Sequence, residues 1–178
     1  MLTWITRRAE RRTNAHNLYG SIVALSRSAS IYTLLRVPDT VEGRFEILVL
    51  HMFACLERLN GEAPALAQDI VDMFFADMDT TSRELGVGDM AVPKKMRGLA
   101  AIFEDRMAAY KSSIENTSKK ALSNELQKNI FGNDEAFANG GNDLARYLLK
   151  LRQSLSKASL EELVAGEITA PDINGTKL

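Results

Sequence analysis

VPDTVEGRFEILVLHMFACLERLNG, residues 37–61, decides the fold of this chain. Val37-Pro38 halts whatever precedes it, because the proline ring disfavours helical geometry at the residue before it. Asp39 and Glu42 follow at the spacing of an Asp-x-x-Glu variant of the capping box, so a helix is expected to start there. Its apolar face runs Phe45, Leu48, Val49, Met52, Phe53, Leu56 and Leu59, the recurrence of one helical stripe. Asn60-Gly61 tolerates a left-handed C-cap and is expected to end the helix.

The same period extends in both directions. Upstream, Leu18, Tyr19, Ile22, Val23 and Leu25 form a moderately amphipathic helix from Ala15 that fades into Ser26, Ser28 and Ser30. Downstream, Pro64 suits a first helical position, and Leu66, Ile70, Met73 and Phe74 carry a helix toward Asp77. Leu85-Gly86-Val87-Gly88-Asp89 reads as a sharp reversal, and Pro93 restarts a helix with a stripe of Met96, Leu99, Phe103, Met107 and Tyr110. A further helix is expected over Ser118 to Phe131, stopped by Gly132. After the Asn139-Gly140-Gly141 loop, Leu144, Tyr147, Leu148, Leu151 and Leu155 mark another. Ser159 with Glu162 would cap one short last turn.

No stretch alternates apolar and polar residues long enough to suggest a half-buried strand. The expected fold is therefore all-α, an irregular single-domain bundle of about seven helices. A basic segment, 1–14, precedes the helical domain, 15–165. Residues 166–178 are polar, hold Pro171 and Gly175, and read as a flexible tail.

The chain has 178 residues, 46% hydrophobic and 25% charged, enough to bury one core. Lys and Arg number 22 against 23 Asp and Glu, so no global field draws it to nucleic acid, and a net charge of −1 leaves electrostatic recognition to local patches. Cys55, the single cysteine, excludes an internal disulfide and suits a reducing compartment, so a cytoplasmic location is expected. The run Ile47-Leu48-Val49-Leu50 is far shorter than a bilayer span. At the N-terminus, Arg7 and Arg8 follow Trp4-Ile5 too closely to leave room for a secretory apolar region.

Metal chemistry finds no footing, because His16 and His51 lie on different expected helices and cannot form an i, i+4 pair. His51, amid apolar residues, reads as a hydrogen-bonded structural histidine, and His16 as solvated. Cys55 stands one turn beyond His51, the spacing of a thiolate–imidazole pair, which leaves a hydrolase or transferase as an alternative. The apolar setting favours an inert buried thiol, and no catalytic residue is assigned. Asp77 and Asp79 do not open an EF-hand, since Ser82 and Gly88 stand where Gly and Glu are needed. Gly86-Val87-Gly88 lacks the third glycine of a dinucleotide fingerprint.

Asp77 continues the apolar face of its helix, and Arg106 falls on the stripe of the next. Asp77 or Asp79 is expected either to meet Arg83 or Arg106 in a network behind the glycine turn, or to belong to a solvated helix end. Trp4 and Ile5 among Arg7, Arg8, Arg11 and Arg12 could rest on an anionic bilayer surface, although a short basic helix end is usually only solvated.

Leu18-Tyr19-Gly20-Ser21-Ile22-Val23, the run from Val37 to Glu46, Asp77-Met78-Asp79, Arg83 to Asp89, Val92-Pro93-Lys94-Lys95-Met96, and Phe103 to Arg106 with Tyr110 together resemble the ubiquinol-cytochrome c chaperone family. The likeness spans about residues 18–110 and departs at Asp105, where the family tends to have Gly before the Arg. It implies a helical, cofactor-free assembly factor that receives newly made cytochrome b of ubiquinol-cytochrome c reductase. It further implies a small helper protein and the ribosome exit as mitochondrial partners, and in a bacterium a cytosolic protein acting at the inner membrane. A membrane-protein client would be held by an apolar groove rimmed with charge. The residues expected to bind client or partner are Asp77, Asp79, Arg83, Glu84, Gly86, Gly88, Asp89, Lys94, Lys95, Met96, Arg106 and Tyr110, beside Met78, Val87, Met90 and Val92. The remaining rival is a permanent structural subunit, which would carry a wide apolar patch.

Overall fold

The computed structural model describes residues 3–132 and 134–173, with side chains from residue 9 onward except that of Glu135. The described residues form eight α-helices and no strand: α1 (Thr3–Ser26), α2 (Ala29–Thr33), α3 (Val41–Asn60), α4 (Pro64–Glu84), α5 (Val92–Glu115), α6 (Lys119–Leu126), α7 (Gly140–Lys157) and α8 (Leu160–Val164). A π-helical turn, Gln127–Phe131, extends α6 until Gly132, and a 3-10 turn, Glu135–Phe137, leads to α7. The bundle is that expected from the apolar period, with the short α2 added.

α3 is the axis, contacted by α1, α4, α5 and α7. From Ile47 to Leu56 every side chain is buried, so this half is enclosed on all faces rather than along one stripe. Its start lies one residue beyond the expected cap. Thr40 is the N-cap, its hydroxyl accepting from the Gly43 amide at 3.0 Å, while Asp39 pairs with Arg44 at 2.6 Å. Gly43 is needed there, since a Cβ would lie 2.1 Å from the Pro38 carbonyl oxygen. The far end differs as well: Gly61 is right-handed, φ −80°, and α3 stops as the Glu62 and Ala63 amides return to the Leu59 carbonyl before Pro64 opens α4.

α4 continues past Asp77 to Glu84. Gly86, with φ 81°, then closes a Schellman turn in which the Val87 amide donates to the Ser82 carbonyl and the Gly86 amide to that of Arg83. Charged side chains fasten the helices to one another. Arg152 holds both Glu57 oxygens at 2.5 and 2.6 Å, linking α7 to α3. Arg58 donates to the Leu155 and Ala158 carbonyls, occupying acceptors at the end of α7. His16 is exposed, in mid-α1.

Both chain ends depart from the reading of the sequence. Residues 3–14, taken there as a segment apart, continue into the same helix as Ala15. Arg11, counted among the membrane-surface candidates, pairs with Asp69 and so ties α1 to α4. Arg12 is exposed, whereas the side chains of Trp4, Arg7 and Arg8 lie outside the described ones. At the other end, residues 167–173 form no helix, yet Ile173 is buried and Ile168 packs on the core. The Ser21 hydroxyl donates to the Gly166 carbonyl at 2.7 Å beside the capping box of Ser159 and Glu162.

Candidate functional site

Where the end of α1, α2, the first turns of α3, the second half of α4 and the first half of α5 converge, they leave an open cleft of about 560 Å³. Phe45 and Leu48 of α3, Met78 and Leu85 of the α4 side, and Leu99 and Ile102 of α5 give it apolar walls. Exposed large apolar side chains concentrate here. Of the four exposed by more than a third among the described residues, Val41 (60%), Leu85 (57%) and Ile102 (38%) line the cleft, and the fourth, Met90 (97%), tips the glycine turn. Large apolar exposure is thus gathered at one cleft and the turn beside it rather than scattered over the surface.

The polar lining is organised by α3. Glu46 is buried, its side chain 9% exposed, and accepts from Arg106 Nε at 3.0 Å and Nη2 at 3.0 Å. A second carboxylate, Asp105 Oδ2, meets Arg106 Nη1 at 2.7 Å. The family departure at Asp105 thus adds a partner to the guanidinium. Asp77 accepts a 2.8 Å hydrogen bond from the Tyr19 hydroxyl, which joins α4 to α1. Burial first, and the Asp77 hydrogen bond second, raise the Tyr19 pKa well above its ordinary value and keep the phenol protonated as donor. Arg27, Glu42 and Lys95, on α1's end, α3 and α5, carry no ion pair among the described residues.

The network foreseen around Asp77 and Asp79 therefore divides in two. Arg83 does meet Asp79, at 2.7 Å, and also Asp89, at 2.5 Å, clasping the glycine turn on its solvated side. Arg106 reaches neither Asp77 nor Asp79. Glu46 on α3 takes it instead, because α5 lies against α3 at that level. Of the candidate surface residues named from sequence, Asp77, Met78 and Lys95 line the cleft. Glu84, Gly86, Gly88 and Lys94 are exposed on the turn and the start of α5, Met96 is half-buried, and Val92 is buried. Tyr110 is fully buried, edge-on to Phe53 and near Asn129, with its pKa raised by burial, so it supports the site from behind.

Sequence reasoning missed Val41, Phe45, Leu99 and Ile102 as cleft surface, while Leu48, on the expected buried face, is buried and forms part of the cleft wall. Phe45 and Leu99 read as parts of buried faces of single helices, and only the gap between α3, α4 and α5 gives them an open side. A signal existed for Ile102: it stands beside Leu99, Phe103 and Arg106 on α5, yet outside the buried stripe.

His51 and Cys55 are not arranged as base and nucleophile. The His51 Nδ1–H donates to the Ile47 carbonyl at 2.8 Å, and Nε2 accepts from the Tyr147 hydroxyl at 2.7 Å, occupying both nitrogens. Burial holds the ring neutral by pulling its pKa to about 4, and pushes the Cys55 thiol up to about 12. Among the described residues, no three His, Cys, Asp or Glu side chains stand together as a metal site, and no helix is long and apolar enough to cross a membrane.

Comparison with known proteins converges on one group. The family described as ubiquinol-cytochrome C chaperone matches residues 33–170. A Xenopus laevis protein, ubiquinol-cytochrome-c reductase complex assembly factor 1, is 24% identical over 136 residues, 74% of this chain and 68% of the relative. The crystal structure of the Cbp3 homolog from Brucella abortus superposes with a TM-score of 0.82 at 38% identity, covering 98% of each chain.

Proposed function

The chain belongs to the ubiquinol-cytochrome c chaperone family, and on that premise we propose that it assists assembly of ubiquinol-cytochrome c reductase by holding newly made cytochrome b in the α3–α4–α5 cleft. The observation that carries the reading is the gathering of Val41, Leu85 and Ile102, exposed and apolar, around one open cleft with charged residues at its rim. A membrane protein before insertion presents apolar segments that water disfavours, and a rigid apolar cleft shields them without chemistry. Release follows when a partner subunit or the bilayer covers the same segment more completely. Such a protein works at the cytoplasmic face of the membrane that receives its client. The turn from Gly86 to Ala91, with Met90 at its tip, is the surface for a small helper protein or the ribosome exit. The exposed Arg12, with Arg7 and Arg8 before it in the sequence, would meet the membrane itself.

The test is made in the cell. Removing the gene is expected to lower assembled reductase, read from the haem b spectrum, and a photo-crosslinker at position 102 is expected to trap cytochrome b during its synthesis. Normal haem b in the deletion strain sinks the proposal. Crosslinks that appear only from a position on α7, such as 153, move the binding surface elsewhere.

A further inference from the structure

Resting on the chaperone reading, we infer that the cleft takes its client as a short α-helix of about two turns, one apolar face inward, with its direction set by Glu42 and Lys95. Two observations lead there. First, the walls are helices, and no described residue belongs to a strand, so the cleft offers no sheet edge to an incoming backbone. An extended segment laid against Phe45, Leu85, Leu99 and Ile102 would bury amide and carbonyl groups without the regular row of partners that a sheet edge supplies. A helix satisfies its own. About 560 Å³ suits the three or so large side chains that one face presents at i, i+3 or i+4, and i+7.

Second, the charges of the lining differ in what they already hold. Glu46 is engaged by Arg106, Arg44 by Asp39, and Asp77 accepts from Tyr19. Glu42 on α3 and Lys95 on α5 have no ion-pair partner among the described residues, nor has Arg27 at the end of α1. Unpaired charges of opposite sign on two walls discriminate between the two directions in which a helix can lie. An acidic client residue belongs beside Lys95 and a basic one beside Glu42, and the reverse placement sets like charges together.

The test uses the purified full chain and fluorescent peptides of equal length and net charge, measured by anisotropy. A helix-stapled peptide with Leu at i, i+4 and i+7, Glu on one flank of that face and Lys on the other, is compared with the same peptide carrying a central proline and with one whose flank charges are exchanged. The stapled peptide is expected to bind about tenfold more tightly than the proline peptide. It is also expected to bind about threefold more tightly than the charge-exchanged one in low salt. The doubly reversed protein, Glu42→Lys with Lys95→Glu, should invert that second preference. Equal binding of stapled and proline peptides overturns the helical client, and an unchanged charge preference in the reversed protein overturns the direction rule. If no peptide binds while Leu85→Asp still lowers haem b in the cell, this inference fails and the chaperone reading stands. If both are negative, both fall.

Discussion

One helix, α3, lives in two environments. From Ile47 to Leu56 it is enclosed on every side, its histidine satisfied by a carbonyl and a tyrosine hydroxyl. From Val41 to Phe45 the same helix is partly open, with Val41 60% exposed and Phe45 half-buried beside the cleft. Glu46, paired with Arg106, marks the boundary. The difference separates two duties: the closed half supplies stability, and the open half keeps apolar surface available that a purely structural helix would cover. Substitutions along α3 and its neighbours should therefore change stability in one half and client capture in the other.

The largest expected effect is in the closed half. Leu50→Ala, at a site with no solvent exposure, should lower unfolding free energy by about 4 kcal/mol, whereas Val41→Ala should change it by less than about 0.5 kcal/mol. Similar urea midpoints for the two variants would erase the distinction. At the boundary, Arg106→Ala leaves the Glu46 carboxylate buried without its guanidinium and should cost about 3 kcal/mol. The double replacement by Leu at both positions should recover most of that loss.

A pH effect of similar size is expected from His51. Its folded pKa of about 4 lies below the ordinary 6.5, so the unfolded chain takes up the proton first as pH falls. This contribution, about 3 kcal/mol, is fully present above pH 6.5 and is lost as the pH drops toward 4. A His51→Gln variant should lack that segment of the stability profile, and an unaltered profile would place the titrating group elsewhere. Tyr147→Phe removes the donor to His51 Nε2 and should cost about 2 kcal/mol at neutral pH. The smallest change in stability belongs to the open region. Leu85→Asp should leave the urea midpoint within about 0.5 kcal/mol of the parent while abolishing capture of cytochrome b. Loss of fold in that variant would show that the cleft wall is core rather than site.

These expectations also show why some of the molecule is legible in the sequence and some is not. The boundaries of α3 can be read to within a residue or so, because Pro38 and the capping side chains at its start, and Pro64 just beyond its end, act locally. Placing the cap at Thr40 rather than Asp39 requires knowing which side chain reaches the Gly43 amide, a matter of backbone direction. The structural role of His51 is legible from its apolar setting, but its partner is 96 residues away. Arg83 finds its partners within six residues, where spacing is informative. The Arg106–Glu46 pair spans 60 residues, and no spacing rule reaches that far.

What the sequence by itself determined is an all-helical bundle with its turns and caps, and a family likeness carried by local motifs, because period, proline, glycine and capping residues act over one or two turns of chain. Only the tertiary structure decided that Val41, Leu85 and Ile102 share one cleft and that Glu46 holds Arg106. A concave surface belongs to no single helix: it is the space left when α3, α4 and α5 pack against one another.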